Sequence, residues 1–319
     1  MKHLFVGLAA AVAVNLSAPA HAQPIGIGTN PQGSLAYTIG SAVAQVVTTT
    51  AGVQARVQPQ GGPDVTIPLV QTCELQFSIA ASDIAAAAFA GRGLFDGRQM
   101  EGIRVVATLM PFPSGLFVRA DSDIQGLSDL RGRRIPGEYT QQRVVLGYTR
   151  TTLATVGLGL DDVTLVPVPN GNRGVEAFMA GEVDAAISAP GAGIVAQADV
   201  AVGGIRYLPV PDTPEADALI REMTPGAVLM RVDPRPDRPG ISETTAMMGG
   251  SFVLLAGTCM PEDRVAQVAA ALNENRERLV AIFPGFSEMT DDRIAAPAGP
   301  LPLHPGAEGY FRSVGLIAD

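Results

Sequence analysis

Short apolar runs alternate with longer segments of helical periodicity along almost the whole chain, and this alternation limits the folds that the sequence can adopt. Two segments have a clear helical pattern, Ser34–Thr48 and Pro261–Phe283. From the runs rich in Val, Ile and Leu we predict nine strands: Pro24–Gly28, Val53–Gln58, Leu75–Ala80, Gly102–Leu109, Leu116–Ala120, Thr164–Val168, Asp184–Ser188, Ile205–Leu208 and Ser251–Ala256. Strands in alternation with helices predict an α/β fold around a largely parallel sheet.

The N-terminus has the pattern of a secretory signal peptide. A basic start at Lys2 precedes an apolar run over Leu4–Leu16, and a small-residue cleavage site ends at Ala22. The run is shorter than the ~20 residues of a membrane-spanning helix. We therefore expect residues 1–22 to be removed and the protein to act in the periplasm; an uncleaved membrane anchor is the alternative.

Several residue types are scarce, and this scarcity narrows the chemistry. The 319 residues carry a net charge of −9, so nucleic acid and anionic lipid surfaces are poor partners. Lys2 is the only lysine, and His304 is the only histidine after the predicted cleavage site. Lysine-dependent covalent chemistry is therefore excluded, and a Ser-His-Asp triad would need His304. Because prolines flank His304, we predict a structural hydrogen bond for it instead.

Cys73 and Cys259 are the only cysteines. They are too few and too far apart for a zinc site, and the sequence predicts neither a metal nor a cofactor. In an oxidising compartment they could be bonded to each other or be free thiols, and both alternatives stay open.

Three predicted strands are each followed by a glycine-rich or polar turn and a helix start. The first turn ends in Gly33-Ser34, but its glycine spacing does not fit a dinucleotide fingerprint, and it has no lysine for a phosphate loop. The others are Gln60-Gly61-Gly62-Pro63 and Ser82-Asp83. Parallel strands bring such turns to one sheet edge, where helix N-termini favour a small anion. Simple capped turns are the alternative.

The middle of the chain offers several charged candidates. We interpret Arg131, Arg133 and Arg134 as a solvated turn before a strand. Arg143, near a predicted helix start, is better placed to bind a negative group. Arg173, between a strand and a helix, is a second candidate, and a surface role is its alternative. Glu138 is the only plausible acid or base in these turns.

The order of these motifs resembles the TAXI family of solute-binding proteins, the receptors of one class of TRAP transporters. The stretches that carry the resemblance are Gly28–Ala42, Gly61–Cys73, Leu75–Asp83, Leu116–Ser122, Ser128–Gly132, Ala177–Ile187 and His304–Ala307. The resemblance implies a two-lobed, type II periplasmic binding protein, with each lobe a mostly parallel sheet flanked by helices. Lobe 1 would comprise residues 23–110 and 225–319, and lobe 2 residues 111–224.

The resemblance also implies a ligand cleft between the lobes. Its residues would be Thr29, Asn30, Ser34, Tyr37, Gln60, Gly61, Ser82, Asp83, Tyr139, Thr140, Gln141 and the turn Ala189–Gly191 with Pro190. The chain departs from the family pattern at Ala36, at Ala81 and in the turn Glu138–Gln142. A family-typical ligand is therefore not assumed, and Tyr139 would favour a more apolar acid.

We therefore expect a receptor that closes on a small organic anion and delivers it to the permease subunits of a TRAP transporter. A receptor of the tripartite tricarboxylate type shares most of these expectations. Two other classes remain open: a dehydratase-like periplasmic enzyme that uses Glu138 as its acid, and a sensory subunit of a signalling system.

Overall fold

The computed structural model describes residues 24–318, so the predicted signal peptide over residues 1–22 lies outside the described residues. The strands are β1 (Ile25–Thr29), β2 (Ala55–Pro59), β3 (Phe77–Ala81), β4 (Ile103–Arg119), β5 (Arg134–Glu138), β6 (Thr164–Val168), β7 (Ala186–Ser188), β8 (Ile205–Tyr207), β9 (Val228–Val232) and β10 (Thr245–Gly257).

The helices are α1 (Leu35–Thr50), α2 (Pro63–Gln71), α3 (Ser82–Phe89), α4 (Val144–Ala154), α5 (Gly171–Met179), α6 (Gly193–Val202), α7 (Pro214–Met223), α8 (Glu262–Glu274), α9 (Arg276–Ile282), α10 (Asp291–Ile294) and α11 (Pro305–Ser313). The predicted α/β class is confirmed, but the main sheet is mixed and not largely parallel, because β10 pairs antiparallel with both β3 and β4. The predicted helix Pro261–Phe283 is two helices, because the chain leaves helical geometry at Asn275 (φ −121°, ψ 31°).

The main sheet has the order β2-β1-β3-β10-β4-β7. β1 pairs in parallel with β2 and β3, whereas β10 lies antiparallel between β3 and β4. A separate parallel pair is formed by β5 and β6. We call β1–β3 with α1–α3 the first lobe, and β5–β8 with α4–α6 the second lobe.

Two long strands connect the lobes. β4 pairs with β10 over residues 103–114, and its last residues, from Gly115 to Arg119, pair with β7 and β8 of the second lobe. The sequence predicted two separate strands here, Gly102–Leu109 and Leu116–Ala120, because Pro111 and Pro113 interrupt the apolar pattern. The strand continues through both prolines, which pair in register with Ser251 and Gly249, and two register shifts against β10 lie nearer its start, between Val105 and Met110.

The first helix shows how local pattern becomes core. The predicted apolar face of α1 is buried throughout, with Ile39 and Val43 fully inaccessible to solvent. Each such aliphatic side chain contributes about 1.5–3 kcal/mol by burial. The side-chain oxygen of Ser34 accepts a hydrogen bond from the Tyr37 N–H at 3.2 Å and caps the helix. The helix start is therefore held rigidly at the carboxyl end of β1.

The cysteine question is resolved in favour of a bond. Cys73 follows α2, Cys259 follows β10, and the two form a disulfide with a Cα–Cα distance of 6.4 Å. The bridge spans 186 positions of sequence. It ties the end of a first-lobe helix to the end of a strand that connects the lobes.

His304 has the structural role that the sequence predicted. Its Nδ1 accepts a hydrogen bond from the Gly306 N–H at 3.2 Å and caps α11, and the side chain is buried. Within residues 24–318, no helix combines the length and apolarity needed to cross a bilayer.

Candidate functional site

A cavity of about 80 Å³ lies between the two lobes. Residues of the first lobe, the connecting strands and the second lobe line it. They are Asn30, Ser34, Leu35, Ala36, Pro63, Ile79, Ala80, Ala81 and Ile84; Phe112, Ser114 and Phe252; and Gln142, Val144, Val145, Tyr148, Gly171, Asn172, Ile187, Ser188 and Ala189.

The first-lobe wall is built from helix starts. Helices α1, α2 and α3 each begin just after the carboxyl end of β1, β2 or β3, as the parallel order predicted. Leu35 and Ala36, the first two residues of α1, line the cavity and are buried. Their N–H groups precede the first intrahelical hydrogen bond, and the Ser34 hydroxyl is bonded to Tyr37. Two backbone donors of α1 are thus available to a ligand.

The second-lobe wall is built mainly from side chains. Gln142 is 7% exposed, and its Oε1 accepts a hydrogen bond from the Gly171 N–H at 3.0 Å. This bond orients the amide, so that the Nε2 of Gln142 is left without a partner among residues 24–318. In the connecting strand β4, Ser114 is 4% exposed and its hydroxyl has no hydrogen-bond partner in the same described range. Both side chains line the cavity and can donate hydrogen bonds into it.

Three aromatic side chains form an apolar side of the cavity. The rings of Phe112 and Phe252 are 4.5 Å apart, and those of Phe112 and Tyr148 are 5.7 Å apart in an edge-to-face arrangement. Ile79, Ile84 and other aliphatic residues continue this surface. The cavity therefore has a polar side and an apolar side.

Hydrogen bonds join the lobes around the cavity. The Tyr148 hydroxyl donates to Oδ2 of Asp83 at 2.8 Å, and the Asn172 Nδ2 donates to the Gln32 carbonyl at 2.6 Å. The Ile194 N–H donates to the Gly33 carbonyl at 3.1 Å. The structure is accordingly a closed arrangement of the two lobes.

Two buried carboxyl groups lie next to the cavity. Asp83 is 2% exposed, and burial raises the pKa of its carboxyl to about 6, an effect that the Tyr148 hydrogen bond partly offsets. Burial also raises the pKa of Asp64, and nearby Arg143 partly opposes that rise. Of the described residues that line the cavity, none is Arg, Lys or His.

The predicted first-lobe residues lie at or close to the cavity. Asn30 and Ser34 line it. Ser82 and Asp83 lie just behind the wall, where the Ser82 hydroxyl accepts a hydrogen bond from the Ser251 N–H and Asp83 accepts one from Tyr148.

Four other predicted first-lobe residues are outside the lining. Thr29 is buried and donates to the Asn30 carbonyl, and Tyr37 is one turn along α1. Gln60 bonds to the Thr29 carbonyl through its N–H, and Gly61 packs against the Gln141 carbonyl of the second lobe.

The predicted second-lobe residues are also outside the lining. Tyr139 is buried in the core beside Gly174, with a left-handed backbone at φ 48°. Thr140 and Gln141 are exposed. Arg143 is exposed at the start of α4, and Arg173 is exposed and forms an ion pair with Glu176 on the same helix.

The turn before α6 approaches the cavity through one residue. Ala189 lines it, whereas Pro190 is buried next to it and Gly191, at φ 83°, faces the Asp237 carbonyl. The turn therefore contributes to the wall through its backbone and not through a charged group.

Sequence reasoning missed several lining residues that are close to predicted ones. Gln142 follows Gln141, and Asn172 precedes Arg173. Tyr148 lies on the α4 face that also carries Val144 and Val145, and this helical spacing could have indicated it. For Phe112 and Ser114 no signal was available, because the prolines beside them hid the continuous strand.

The arginine-rich turn is a solvated one, as predicted. Arg133 and Arg134 form ion pairs at 2.6 Å with Asp123 and Asp184, and Arg131 pairs with Asp162. Each pair is largely exposed, and such pairs contribute about 0–1 kcal/mol. This turn lies at the start of β5, opposite to the cavity end of that strand.

Two lobes joined by long strands, with a cavity between them, define the fold of the periplasmic binding proteins. A solved structure described as a periplasmic transporter is 16% identical, with a TM-score of 0.54 over 91% of this chain and 92% of that chain. PhnD1 from Prochlorococcus marinus (MIT 9301), solved in complex with methylphosphonate, is 10% identical, with a TM-score of 0.54 over 92% and 99%. At these identities the likeness establishes the fold alone. The chain belongs to the NMT1-like family, whose model matches residues 27–315.

Proposed function

We propose that this chain is a periplasmic solute receptor that captures a small organic anion by closure of its two lobes. The observation that carries the proposal is the convergence of unpartnered donors on one cavity between the lobes: the Leu35 and Ala36 N–H groups, the Ser114 hydroxyl and the Gln142 amide. Buried donors without protein partners cost free energy unless a ligand or water satisfies them. An anion that accepts hydrogen bonds from all of them is the best-matched occupant.

The proposed hinge lies in the connecting strands. Gly249 and Gly250 of β10 pair with Pro113 and Phe112 of β4, where the strands pass from one lobe to the other. A Cβ at Gly249 would overlap the Phe112 carbonyl oxygen. Small residues permit this close approach and the backbone rotation that a hinge needs.

We retain residues 23–110 as the first segment of the first lobe. For the return to that lobe we favour Gly249 over the sequence-predicted residue 225. The reason is that β9 pairs with the first half of β10, and the Val210 N–H donates to the Ala246 carbonyl at 2.9 Å.

The transport system and location are also part of the proposal. The signal-peptide pattern and the binding-protein fold support export to the periplasm, and the motif order supports a TAXI receptor that serves TRAP permease subunits. Uptake of the solute by cells carrying the receptor and its permease should then fail when ion gradients are dissipated. If uptake is instead lost when ATP is depleted and the ion gradients stay intact, the transporter is driven by ATP.

An enzymatic role has less support in the geometry. Glu138, the predicted acid, is exposed at the end of β5 and does not line the cavity. Tyr148 is the only titratable side chain among the described residues that line the cavity, and burial raises its pKa well above the ordinary value.

Calorimetry and thermal shift with a panel of small acids test the receptor function. We expect at least one acid to bind more tightly than about 1 mM and to raise the melting temperature, because a ligand that binds only the folded state stabilises it. The function would be refuted if every acid left both measurements unchanged.

A further inference from the structure

We infer that the solute is a compact monocarboxylate with an apolar tail of a few carbons, and not a dicarboxylate or an acidic amino acid. This inference rests on the proposed function and assigns the two ends of the ligand to the two sides of the cavity. The carboxylate would meet the donors of α1, Ser114 and Gln142. The tail would lie against Phe112 and Phe252.

The donors account for one carboxylate. The Leu35 and Ala36 N–H groups supply two hydrogen bonds at the positive end of α1, and Ser114 and the Gln142 Nε2 supply two more from other elements. The two side-chain donors belong to residues that are at least nine-tenths buried. The Ser114 and Gln142 donors belong to elements other than α1, and they indicate the same kind of ligand group, one rich in hydrogen-bond acceptors.

The buried carboxyl groups next to the cavity disfavour a second carboxylate on the ligand. The Oδ1 atoms of Asp83 and Asp64 are buried and have no hydrogen-bond partner among the described residues. The described lining contains no cationic side chain to offset another negative charge. In a buried site of low effective dielectric constant, like charges repel far more strongly than in water. A dianion would therefore bind poorly.

The apolar side and the volume define the tail. Phe112, Phe252, Ile79 and Ile84 offer carbon surface with no polar atom to match a second polar group. The 80 Å³ cavity is about half of the roughly 150 Å³ that holds benzene in an engineered protein cavity. Because the carboxylate would occupy the polar side, the space left favours a tail of a few carbons, which makes an acid of about three to five carbons.

The test is calorimetry at pH 7.5 with straight-chain acids from acetate to octanoate, together with succinate, glutamate and butyramide. We expect affinity to rise about fourfold per methylene, the equivalent of about 0.8 kcal/mol, up to the three-to-five-carbon range, and then to fall. Succinate, glutamate and butyramide should each bind at least tenfold more weakly than butyrate.

Two variants locate the ends of the ligand. Gln142→Glu keeps an acceptor for the Gly171 N–H but removes the donor and adds a charge, so we expect at least a tenfold loss of butyrate affinity. Gln45→Glu, with the same charge change on the exposed face of α1, should change affinity less than twofold.

Phe112→Leu enlarges the apolar side and should move the optimal chain length to longer acids. Phe178→Leu, in the second-lobe core against Phe117, should lower the stability of the protein without changing the optimal chain length of the acid.

The outcomes separate this inference from the function on which it rests. Tighter binding of succinate, glutamate or butyramide than of butyrate would overturn the inference and leave the receptor function standing. An affinity that is unchanged in Gln142→Glu would overturn the assignment of the carboxylate. Absence of binding by every acid would overturn the proposed function itself.

Discussion

The two walls of the cavity are built differently. The first-lobe wall consists of helix starts that a parallel sheet and a disulfide hold in place, and its donors are backbone N–H groups. The second-lobe wall consists mainly of side chains at the end of β7 and around the starts of α4 and α5, and three hydrogen bonds from the second lobe reach across to the first lobe. One wall is thus formed before closure, whereas the other is completed by closure.

Because the two walls differ, the donors that bind the ligand and the contacts that close the lobes lie mainly on different elements. Backbone donors fixed by the sheet cost little ordering entropy when a ligand arrives, whereas side chains such as Tyr148 and Asn172 must find partners in the opposite lobe. We therefore expect changes in the first lobe to affect mainly stability, and changes at the contacts between lobes to affect mainly affinity.

The largest effect should come from the disulfide. Replacing both Cys73 and Cys259 by serine removes a link across 186 positions and should lower the free energy of unfolding by about 2–4 kcal/mol, measured by urea denaturation. Solute affinity should change less than about threefold. Reduced wild-type protein should unfold at the same urea concentration as the variant. If the variant instead had the unfolding midpoint of oxidised wild type, the stabilising role of the disulfide would be contradicted.

Tyr148→Phe should produce the largest loss of affinity at the interface between lobes. It keeps the ring against Phe112 but leaves the buried Asp83 carboxyl without its donor, at a cost of about 1.5–3 kcal/mol. We expect affinity to fall roughly ten- to one-hundredfold by calorimetry. The matched change Tyr207→Phe removes only a 3.4 Å bond to the Ser188 carbonyl and should have little effect. Equal losses in the two variants would argue against closure through Asp83.

The pH dependence of stability should report Asp83 directly. Its pKa in the folded protein, about 6, is above the ordinary value of 3.8, so the folded state binds more protons than the unfolded state between these values. Its contribution to stability is therefore greatest at low pH and is lost as pH rises through 6. Between pH 5 and pH 7 we expect a loss of about 1 kcal/mol that is absent in Asp83→Asn, measured by thermal melts of both proteins. Parallel pH profiles would contradict the buried-acid interpretation.

The smallest effect on affinity should come from α5, where substitutions of two neighbouring residues can be compared. Asn172→Ala removes the hydrogen bond to the Gln32 carbonyl and should lower affinity about fivefold, the equivalent of about 1 kcal/mol. Arg173→Ala removes only an exposed ion pair with Glu176 and should change affinity less than twofold. If Arg173→Ala had the larger effect, the original interpretation of Arg173 as a ligand contact would be restored.

Local patterns in the sequence were sufficient for the α/β class, the buried face of α1 and the helix starts after β1, β2 and β3. Hydrophobic periodicity and capping residues act over a few positions, so one sequence contains them in full. They also predicted the structural role of His304, whereas the family resemblance implied Asn30 and Ser34 at the cavity.

Contacts between distant segments were decided only by the tertiary structure. The sequence left the pairing of Cys73 with Cys259 open, and it divided β4 at its prolines because it could not show that β10 continues the pairing. It selected Gln141 and Arg173 instead of Gln142 and Asn172, because which of two adjacent polar residues faces a cavity depends on the tertiary packing of the turn or helix that carries them. Tertiary structure alone placed Tyr148 against Asp83, since 65 residues of chain separate them and only closure of the lobes brings them together.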